Sequence, residues 1–223
     1  MFMKKAKKTD NYQVFIDFDN TIATVDTFDS LLPVFAKDQR WMELEKDWEK
    51  GRISSKDCLE GQLNCMELDK PSLDRHLSGI KLDPYFKNLI SLLESKKVKT
   101  MVLSDNFDYI LRKILKHNQI KKIKVYSNRL KFLNDKPQPL FPFRHKKCPT
   151  CAHCKTKNLL ANTEVNSSIV YIGDGRSDFC PAKYADIVFA KDSLLKYCRA
   201  EKIKHYPYET LKDVYNYFKR SLS

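Results

Sequence analysis

The segment 14–21 is an apolar run that ends in two carboxylates, Asp17 and Asp19, one residue apart. Its β-branched and aromatic residues, without Gly or Pro, predict a buried strand. Side chains two residues apart in a strand point the same way, so we expect the two carboxylates to emerge together. Acids this close repel each other unless a hard cation such as Mg²⁺ neutralises them. The pair therefore indicates a cation site suited to phosphate chemistry.

Two further apolar segments, 99–103 and 168–172, also end in polar residues. The first is followed by Ser104, Asp105 and Asn106, and the second by Gly173, Asp174, Gly175, Arg176, Ser177 and Asp178. In open α/β sheets, ligands bind beyond the carboxyl ends of the strands. We therefore expect a hydroxyl and several acids from three strands to converge on one edge of a sheet.

The order of elements predicts a three-layer, Rossmann-like α/β fold, in which a parallel sheet carries helices on both faces. Buried strands alternate with helical patterns along the chain, which is typical of βαβ units. Apolar residues recur at helical spacing throughout 25–96, where Gly51 ends one helix and the pair Ser54-Ser55 offers a cap for the next. We expect a core formed by 1–24 and 97–223, with residues 25–96 as an inserted all-helical domain.

Local patterns in the second half predict finer features. Segments 123–127 and 130–133 alternate like the two strands of a hairpin. Residues 136–163 contain no acid and several prolines, which favours a basic loop. Ser177 can cap the helix that follows it, and a C-terminal amphipathic helix is expected over 210–222.

The 223 residues carry a net charge of +13, and this charge is unevenly distributed. Residues 25–96 contain eleven Lys and Arg against fourteen Asp and Glu, so the rest of the chain carries the whole positive excess. A basic body suggests an anionic partner, either nucleic acid or a phosphorylated metabolite. Seven cysteines, four of them scattered, indicate reduced thiols. With no targeting segment and no membrane-spanning apolar run, we expect a soluble cytoplasmic protein.

Together, the motifs resemble those of the haloacid dehalogenase superfamily of aspartyl phosphatases, over nearly the whole chain. The matching segments are 17–21 (Asp-Phe-Asp-Asn-Thr), Ser104, a lysine within 154–157 (Cys-Lys-Thr-Lys) and 173–178 (Gly-Asp-Gly-Arg-Ser-Asp). The helical insert between the first two motifs is similar to the cap of the phosphoserine-phosphatase-like branch. The last motif, with the Phe-Cys-Pro that follows it, is similar to phosphatases of methionine salvage and of phosphoethanolamine and phosphocholine.

The chain departs from the family pattern in two motifs. Asn20 stands where the first motif commonly has Gly, and Asn tolerates the left-handed backbone that Gly would adopt there. Asp105 and Asn106 replace a Gly-rich continuation after Ser104. This second departure bears more on which substrate is bound than on which reaction is catalysed.

The resemblance implies a role for each matched acid. Asp17 would attack phosphorus and form an aspartyl phosphate, while Asp19 would protonate the leaving alkoxide and later deprotonate water. Mg²⁺ would be held by Asp17, Asp174 and the backbone carbonyl of Asp19. Asp178 would orient these ligands without binding the metal directly, or would bind the metal through a water molecule.

The phosphoryl oxygens would be held by Ser104, by the backbone amides of Asp105 and Asn106, and by one lysine. Lys155 is preferred over Lys157 because Cys-Lys is the family-like pair. The implied substrate is a small phosphorylated metabolite, with no membrane partner and with nucleic acid disfavoured. Neither the oligomeric state nor the resting position of the cap follows from the sequence.

The insert should set specificity, because a closing cap contacts the leaving group and excludes water. Polar residues soon after the first motif, such as Thr24, Asp26 and Thr27, are candidate contacts. Trp41 and Trp48 lie seven residues apart on one helical face, which favours the core of the cap.

Two other functions fit parts of the pattern. A phosphotransferase or mutase would use the same aspartate while excluding water. A non-catalytic basic protein that binds nucleic acid or metal would carry the acids as vestiges, and intact acids in two motifs argue against it.

A cysteine cluster suggests a second metal. Cys148, Cys151 and Cys154 are spaced three apart, with His145 and His153 nearby. This spacing could supply three thiolates and one imidazole to a structural Zn²⁺. The alternative is three reduced thiols packed under the loop.

Overall fold

The computed structural model describes residues 11–134, 136–146 and 148–222. Its strands are β1 (Tyr12–Ile16), β2 (Lys99–Phe107), β3 (Lys124–Leu133), β4 (Lys136–Leu140), β5 (Ser168–Gly173), β6 (Ile187–Ala190) and β7 (His205–Pro207). They form one seven-stranded sheet in the order β4-β3-β2-β1-β5-β6-β7. Each neighbouring pair is parallel except β3 and β4, which are antiparallel. This mostly parallel sheet confirms the predicted α/β class.

Helices cover both faces of the sheet. They are α1 (Leu32–Phe35), α2 (Arg40–Glu49), α3 (Ser55–Asn64), α4 (Lys70–Ser78), α5 (Phe86–Ser95), α6 (Asp108–His117), α7 (Lys155–Asn162), α8 (Phe179–Ala182), α9 (Asp192–Ala200) and α10 (Leu211–Ser221). Val14 and Ile16 pack on one face with α5, α6 and α10. Phe15 faces the other way and packs with Leu159 of α7. Within the described residues, no helix combines the length and apolar character needed to cross a bilayer.

The insert between β1 and β2 is helical apart from two isolated β-bridges. The predicted N-terminal cap of helix α3 is confirmed, because the Ser54 side chain accepts a hydrogen bond from the Asp57 amide at 3.1 Å. Gly51 has a φ of 70°, which suits the left-handed turn that separates α2 from α3. Helix α4 is attached to α6, since Asp74 accepts from the Tyr109 hydroxyl at 2.8 Å and pairs with Lys113.

The predicted hairpin within 123–133 is wrong. Strand β3 runs through the proposed turn without a break, and its antiparallel partner is β4, in a segment predicted as loop. Pro137 and Pro139 lie on β4, and proline is tolerated in strands at a sheet edge because no neighbour needs its amide. The predicted loop also contains α7. The prolines therefore indicated an edge strand rather than a loop.

Candidate active site

Asp17 directly follows β1, in the middle of the sheet. Its amide donates to the carbonyl of Ile172 at 2.9 Å, which extends the pairing of β1 with β5 by one residue. The side chain is 4% exposed, and its Oδ1 lies 2.6 Å from Nζ of Lys155. The carboxylate is therefore fixed at the carboxyl end of the central strand, as the sequence predicts.

The loop after β5 is organised by Asp178, which is fully buried. Its Oδ2 accepts from the amides of Asp174 at 3.0 Å and Gly175 at 3.1 Å, while its Oδ1 accepts from the Tyr171 hydroxyl at 2.6 Å. A Cβ on Gly173 would lie 2.4 Å from Oδ2 of Asp178. Only glycine allows this close approach, so the Gly-Asp-Gly motif positions Asp174 through Asp178.

Lys155 is the first residue of α7 and is 2% exposed. Its Nζ lies 2.6 Å from Asp17, 2.8 Å from Asp178 and 2.8 Å from Oγ of Ser177. Lys157 is exposed, so the structure brings Lys155 into the site, as preferred from the sequence. Ser177 accepts from Lys155 and makes no helix-capping bond, so its predicted role as a cap is wrong.

Asp19 faces away from Lys155, towards β2 and the start of the insert. Its Oδ1 accepts from the Thr27 amide at 2.8 Å and the Thr27 hydroxyl at 2.6 Å, and Nδ2 of Asn106 lies 3.2 Å from both oxygens. Asn20 has a φ of 52°, the left-handed conformation expected for its position. The two acids emerge at the same edge, but they have different partners.

The polar segment of β2 lies beside Asp19. The register of β2 against β3 is irregular between Leu103 and Phe107, and Ser104, Asp105 and Asn106 lie in this stretch. Ser104 is fully buried, and its Oγ accepts from the Asn106 amide at 3.1 Å and lies 3.5 Å from Oδ2 of Asp19. All three predicted phosphate-binding residues of β2 therefore reach the site.

Burial sets the electrostatics of the cluster. Burial and the nearby carboxylate of Asp178 raise the pKa of Asp17 well above its usual range, and burial raises the pKa of Asp19. Burial and Asp178 raise the pKa of Asp174 to about 7. Burial lowers the pKa of Lys155, but Asp17 and Asp178 outweigh it and hold the pKa well above its usual range. The site thus favours added positive charge.

A cation would fit between the carboxylates. Oxygen atoms of Asp17, Asp174 and Asp178 all lie within 4.8 Å of one another. Thr21 donates to Oδ1 of Asp174 at 3.1 Å, which orients that carboxylate. The carboxylate of Asp19 is held by Thr27 and Asn106 and is not part of this group. An all-oxygen set of this kind suits hard cations such as Mg²⁺ rather than Zn²⁺.

The zinc prediction is not supported. Cys148, Cys151 and Cys154 lie in the described part of the chain, yet no group of three Cys or His ligand atoms meets there. The Thr150 hydroxyl lies 3.3 Å from the sulfur of Cys148 and 3.7 Å from that of Cys151. His153 is buried and bonds Asn158 at 3.0 Å. His145 is exposed. The loop is therefore held by hydroxyl, amide and aromatic contacts.

A cavity of about 90 Å³ adjoins Asp19 under helices α2 and α3. Five carboxylates and two aromatic rings line it, and its lining contains no Lys or Arg: Asp19, Asp26, Asp29, Glu45, Asp105, Phe28 and Trp48. Asp26, one of the candidate substrate contacts, lines this cavity. Thr24 instead bonds the carbonyl of Lys81, and Trp48 lines the cavity rather than a cap core.

Some supporting residues were not predicted from the sequence. Tyr171 holds Asp178, and the hydroxyls of Tyr208 and Thr21 lie 3.3 Å apart beside Asp174. Tyr171 belongs to a buried strand, where an aromatic residue is expected for packing alone. Its hydroxyl gives no sequence signal, because only the fold brings it near Asp178.

A family model described as "Putative Phosphatase" matches residues 12–206, which contain all four motifs. The chain belongs to this family. It is a phosphatase by this match, and its fold is that of solved haloacid dehalogenase and phosphoserine phosphatase structures, which agrees with the resemblance of the motifs.

Relatives and solved structures agree with this assignment. The phosphatase is 27% identical over 211 residues to a 2-hydroxy-3-keto-5-methylthiopentenyl-1-phosphate phosphatase of Geobacillus thermodenitrificans, covering 93% of this chain and 95% of the relative. A phosphoserine phosphatase from T. onnurineus has the same fold, with a TM-score of 0.69, 17% identity and coverage of 97% and 98%. A haloacid dehalogenase family hydrolase of Salmonella enterica superposes with a TM-score of 0.73, 15% identity and coverage of 92% and 69%.

Proposed function

We propose that the phosphatase hydrolyses a small phosphomonoester with Mg²⁺, through an aspartyl phosphate on Asp17. The observation that carries this proposal is the buried Asp17 carboxylate, 2.6 Å from Lys155 and within 4.8 Å of Asp174 and Asp178. A buried nucleophile beside a cation and a metal-compatible acid cluster suits transfer of a phosphoryl group, which carries negative charge.

The protein residues divide the reaction into two displacements. An oxygen of Asp17 attacks phosphorus, the bond to the leaving oxygen breaks, and Asp19 protonates that oxygen. Asp19 then takes a proton from water, which attacks phosphorus and releases Asp17 and inorganic phosphate. The raised pKa of Asp19 favours the protonated form that the first step needs. Thr27 and Asn106 orient Asp19 throughout.

The phosphoryl oxygens would be held by Lys155, the Ser104 hydroxyl and the amides of Asp105 and Asn106. Asp17, Asp174 and the carbonyl of Asp19 would bind Mg²⁺, while Asp178 orients the loop. When bound, the cation neutralises the negative charge that the carboxylates and the phosphoryl group bring together.

We propose that the described residues of 1–24 and 97–223 form the catalytic core and that the insert 25–96 forms the cap; residues 1–10 lie outside the described part of the chain. The α2–α3 hairpin, residues 40–64, is its functional part because it roofs the cavity beside Asp19. Helix α5 packs with the main core, so we expect it to stay in place when the hairpin moves. All seven cysteines are free, which fits a cytoplasmic location.

We further propose that the leaving group is small and carries an ammonium group. The curated relatives are named for a methylthio-ketopentenyl phosphate, but the cavity here is lined by carboxylates and by Trp48. Loss of solvent, with Glu45 and Asp19 nearby, raises the pKa of Asp29 to about 7, so the pocket favours added positive charge. Carboxylates and an indole face both attract ammonium groups.

A phosphate-release assay with and without Mg²⁺ tests both the proposed hydrolysis and the proposed preference for an ammonium-bearing leaving group. We expect Mg²⁺-dependent hydrolysis, with phosphoethanolamine or phosphocholine preferred over glycerol 3-phosphate by about tenfold or more in kcat/KM. Equal rates on charged and neutral leaving groups would reject the ammonium proposal. Faster turnover of a folded phosphoprotein would reject a small substrate, and phosphate transfer without release of inorganic phosphate would favour the phosphotransferase alternative.

Glu45→Gln should weaken binding of an ammonium leaving group. It removes one carboxylate of the cavity at nearly constant volume, and the neutral side chain can still bond Gln62. We expect KM for phosphoethanolamine to rise by roughly fivefold to tenfold, which is about 1 kcal/mol, with a smaller change for glycerol 3-phosphate. Glu43→Gln, an exposed change on the same helix, is the matched control and should leave both values unchanged.

Asp174→Asn should raise the Mg²⁺ requirement, because the variant loses a metal-binding carboxylate but keeps the nucleophile. We expect half-saturation at a Mg²⁺ concentration about tenfold higher or more, measured by activity and by calorimetric titration. Asp38→Asn, at an exposed residue bonded to Arg40, controls for the loss of one charge. An unchanged Mg²⁺ requirement in Asp174→Asn would exclude Asp174 as a ligand.

A further inference from the structure

Arg176 joins the acidic loop of the core to the α2–α3 hairpin. It lies between Asp174 and Asp178, yet its side chain points to the hairpin. Its Nη1 donates to the carbonyl of Glu49 at 2.9 Å and to that of Trp48 at 3.4 Å. These carbonyls lie at the end of α2, where the negative end of the helix dipole favours a cation.

The same guanidinium lies against the ring of Trp48, with 5.5 Å between the guanidinium carbon and the ring centroid. The Trp48 Nε1 donates to Oγ of Ser55 at 2.9 Å, so the indole is held from two sides. Trp48 also lines the cavity beside Asp19. Arg176 therefore fixes an aromatic wall of the cavity from a loop that carries two acids of the cluster.

Among the described residues, Ser55 and Lys56 also join this end of the hairpin to the core. Helix α2 has no fully buried residue, whereas α3 buries Cys58, Gln62 and Leu63, so packing holds the hairpin mainly through α3. The amide of Ser55 donates to the carbonyl of Thr150 at 2.8 Å, and Nζ of Lys56 lies 5.5 Å from the ring centroid of Phe141. Arg176 contributes a charged side chain, hydrogen bonds to two carbonyls of the hairpin and a contact with Trp48 in the cavity wall.

We infer that Arg176 is a positioning residue that holds the α2–α3 hairpin closed and sets Trp48 as the wall of the leaving-group cavity. The expected effect of Arg176 on substrate choice rests on the proposed function, whereas its role in holding the α2–α3 hairpin closed does not. Loss of Arg176 should open the cavity, so that small substrates lose contacts and bulky ones gain access.

The experiment compares Arg176→Ala with Arg176→Lys, and with the exposed Arg199→Ala as a charge-matched control. In a Trp41→Phe background, Trp48 becomes the sole indole, and acrylamide quenching reports its exposure. We expect stronger quenching in Arg176→Ala, an intermediate value in Arg176→Lys because lysine keeps the cation, and no change in Arg199→Ala. Unchanged quenching in Arg176→Ala would overturn the inference.

Substrate choice gives a second readout. For Arg176→Ala we expect kcat/KM on phosphoethanolamine to fall about tenfold, equivalent to about 1.4 kcal/mol, and to fall much less on the bulkier p-nitrophenyl phosphate. Equal losses on both substrates with unchanged quenching would mean a merely structural role and would reject the inference. If wild type released phosphate from neither substrate, the proposed function would fail, while quenching would still decide the closure.

Discussion

Asp17→Asn is expected to lower kcat for phosphomonoester hydrolysis by at least about 10³, which corresponds to roughly 4 kcal/mol of transition-state stabilisation. The change removes the charge of the nucleophile at almost constant volume, so the variant should fold. The metal-free variant should even unfold at a higher temperature than wild type, because burial and Asp178 disfavour the ionised Asp17 carboxylate more than Lys155 favours it, and Lys155 stays paired with Asp178 in the variant. Steady-state kinetics and thermal unfolding measure the two effects.

A phosphate mimic separates loss of the nucleophile from loss of the fold. Beryllium fluoride with Mg²⁺ should bind wild type, where it can bond the Asp17 carboxylate, and should not bind Asp17→Asn. Asp38→Asn, exposed and remote, should behave as wild type in both assays. Wild-type hydrolysis by Asp17→Asn would make Asp17 a structural acid and would remove the proposed mechanism.

The sequence predicted those elements whose signal is an apolar run or a short motif of neighbouring residues. Strand β1 is buried on both faces, so its run of apolar residues is unambiguous, and the acids after it had to reach the sheet edge. Gly173 and Asp178 belong to one short motif in which the glycine makes room for the carboxylate. Such motifs carry their geometry in consecutive residues, so the sequence could place Asp17 and Asp174 at one sheet edge, whereas Lys155 was proposed only from the family resemblance of its Cys-Lys pair.

Contacts between distant segments were not predictable in the same way. Trp48 follows helical spacing whether its indole packs in a core or lines a cavity, and the decision depends on the core loops that the hairpin meets. The cysteine spacing around Cys151 is compatible with zinc, but the turns of that loop do not gather three ligand atoms. Strand β4 was missed because proline was interpreted as a loop signal, although an edge strand tolerates it.

Lys155→Met tests the other half of the buried charge cluster. Lys155 neutralises Asp17 and Asp178 at 2.6 and 2.8 Å, so an apolar side chain of similar length would leave two buried carboxylates with no cation. Removing one partner of a buried ion pair costs about 3 kcal/mol or more, and we expect a loss of that size in the free energy of unfolding without Mg²⁺. Activity should fall by about 10² or more, because a donor to the phosphoryl oxygens is lost.

Two comparisons distinguish this role of Lys155 from a general packing defect. Lys157→Met changes an exposed lysine of the same helix and should leave stability and kcat unchanged. Adding Asp17→Asn to Lys155→Met should restore part of the stability but none of the activity, since the repulsion is relieved while the nucleophile is absent. Mg²⁺ should also stabilise Lys155→Met more than wild type, because the cation then replaces the positive charge that Lys155 supplied to these carboxylates. If the double variant were no more stable than Lys155→Met, the loss would come from packing and the charge argument would be wrong.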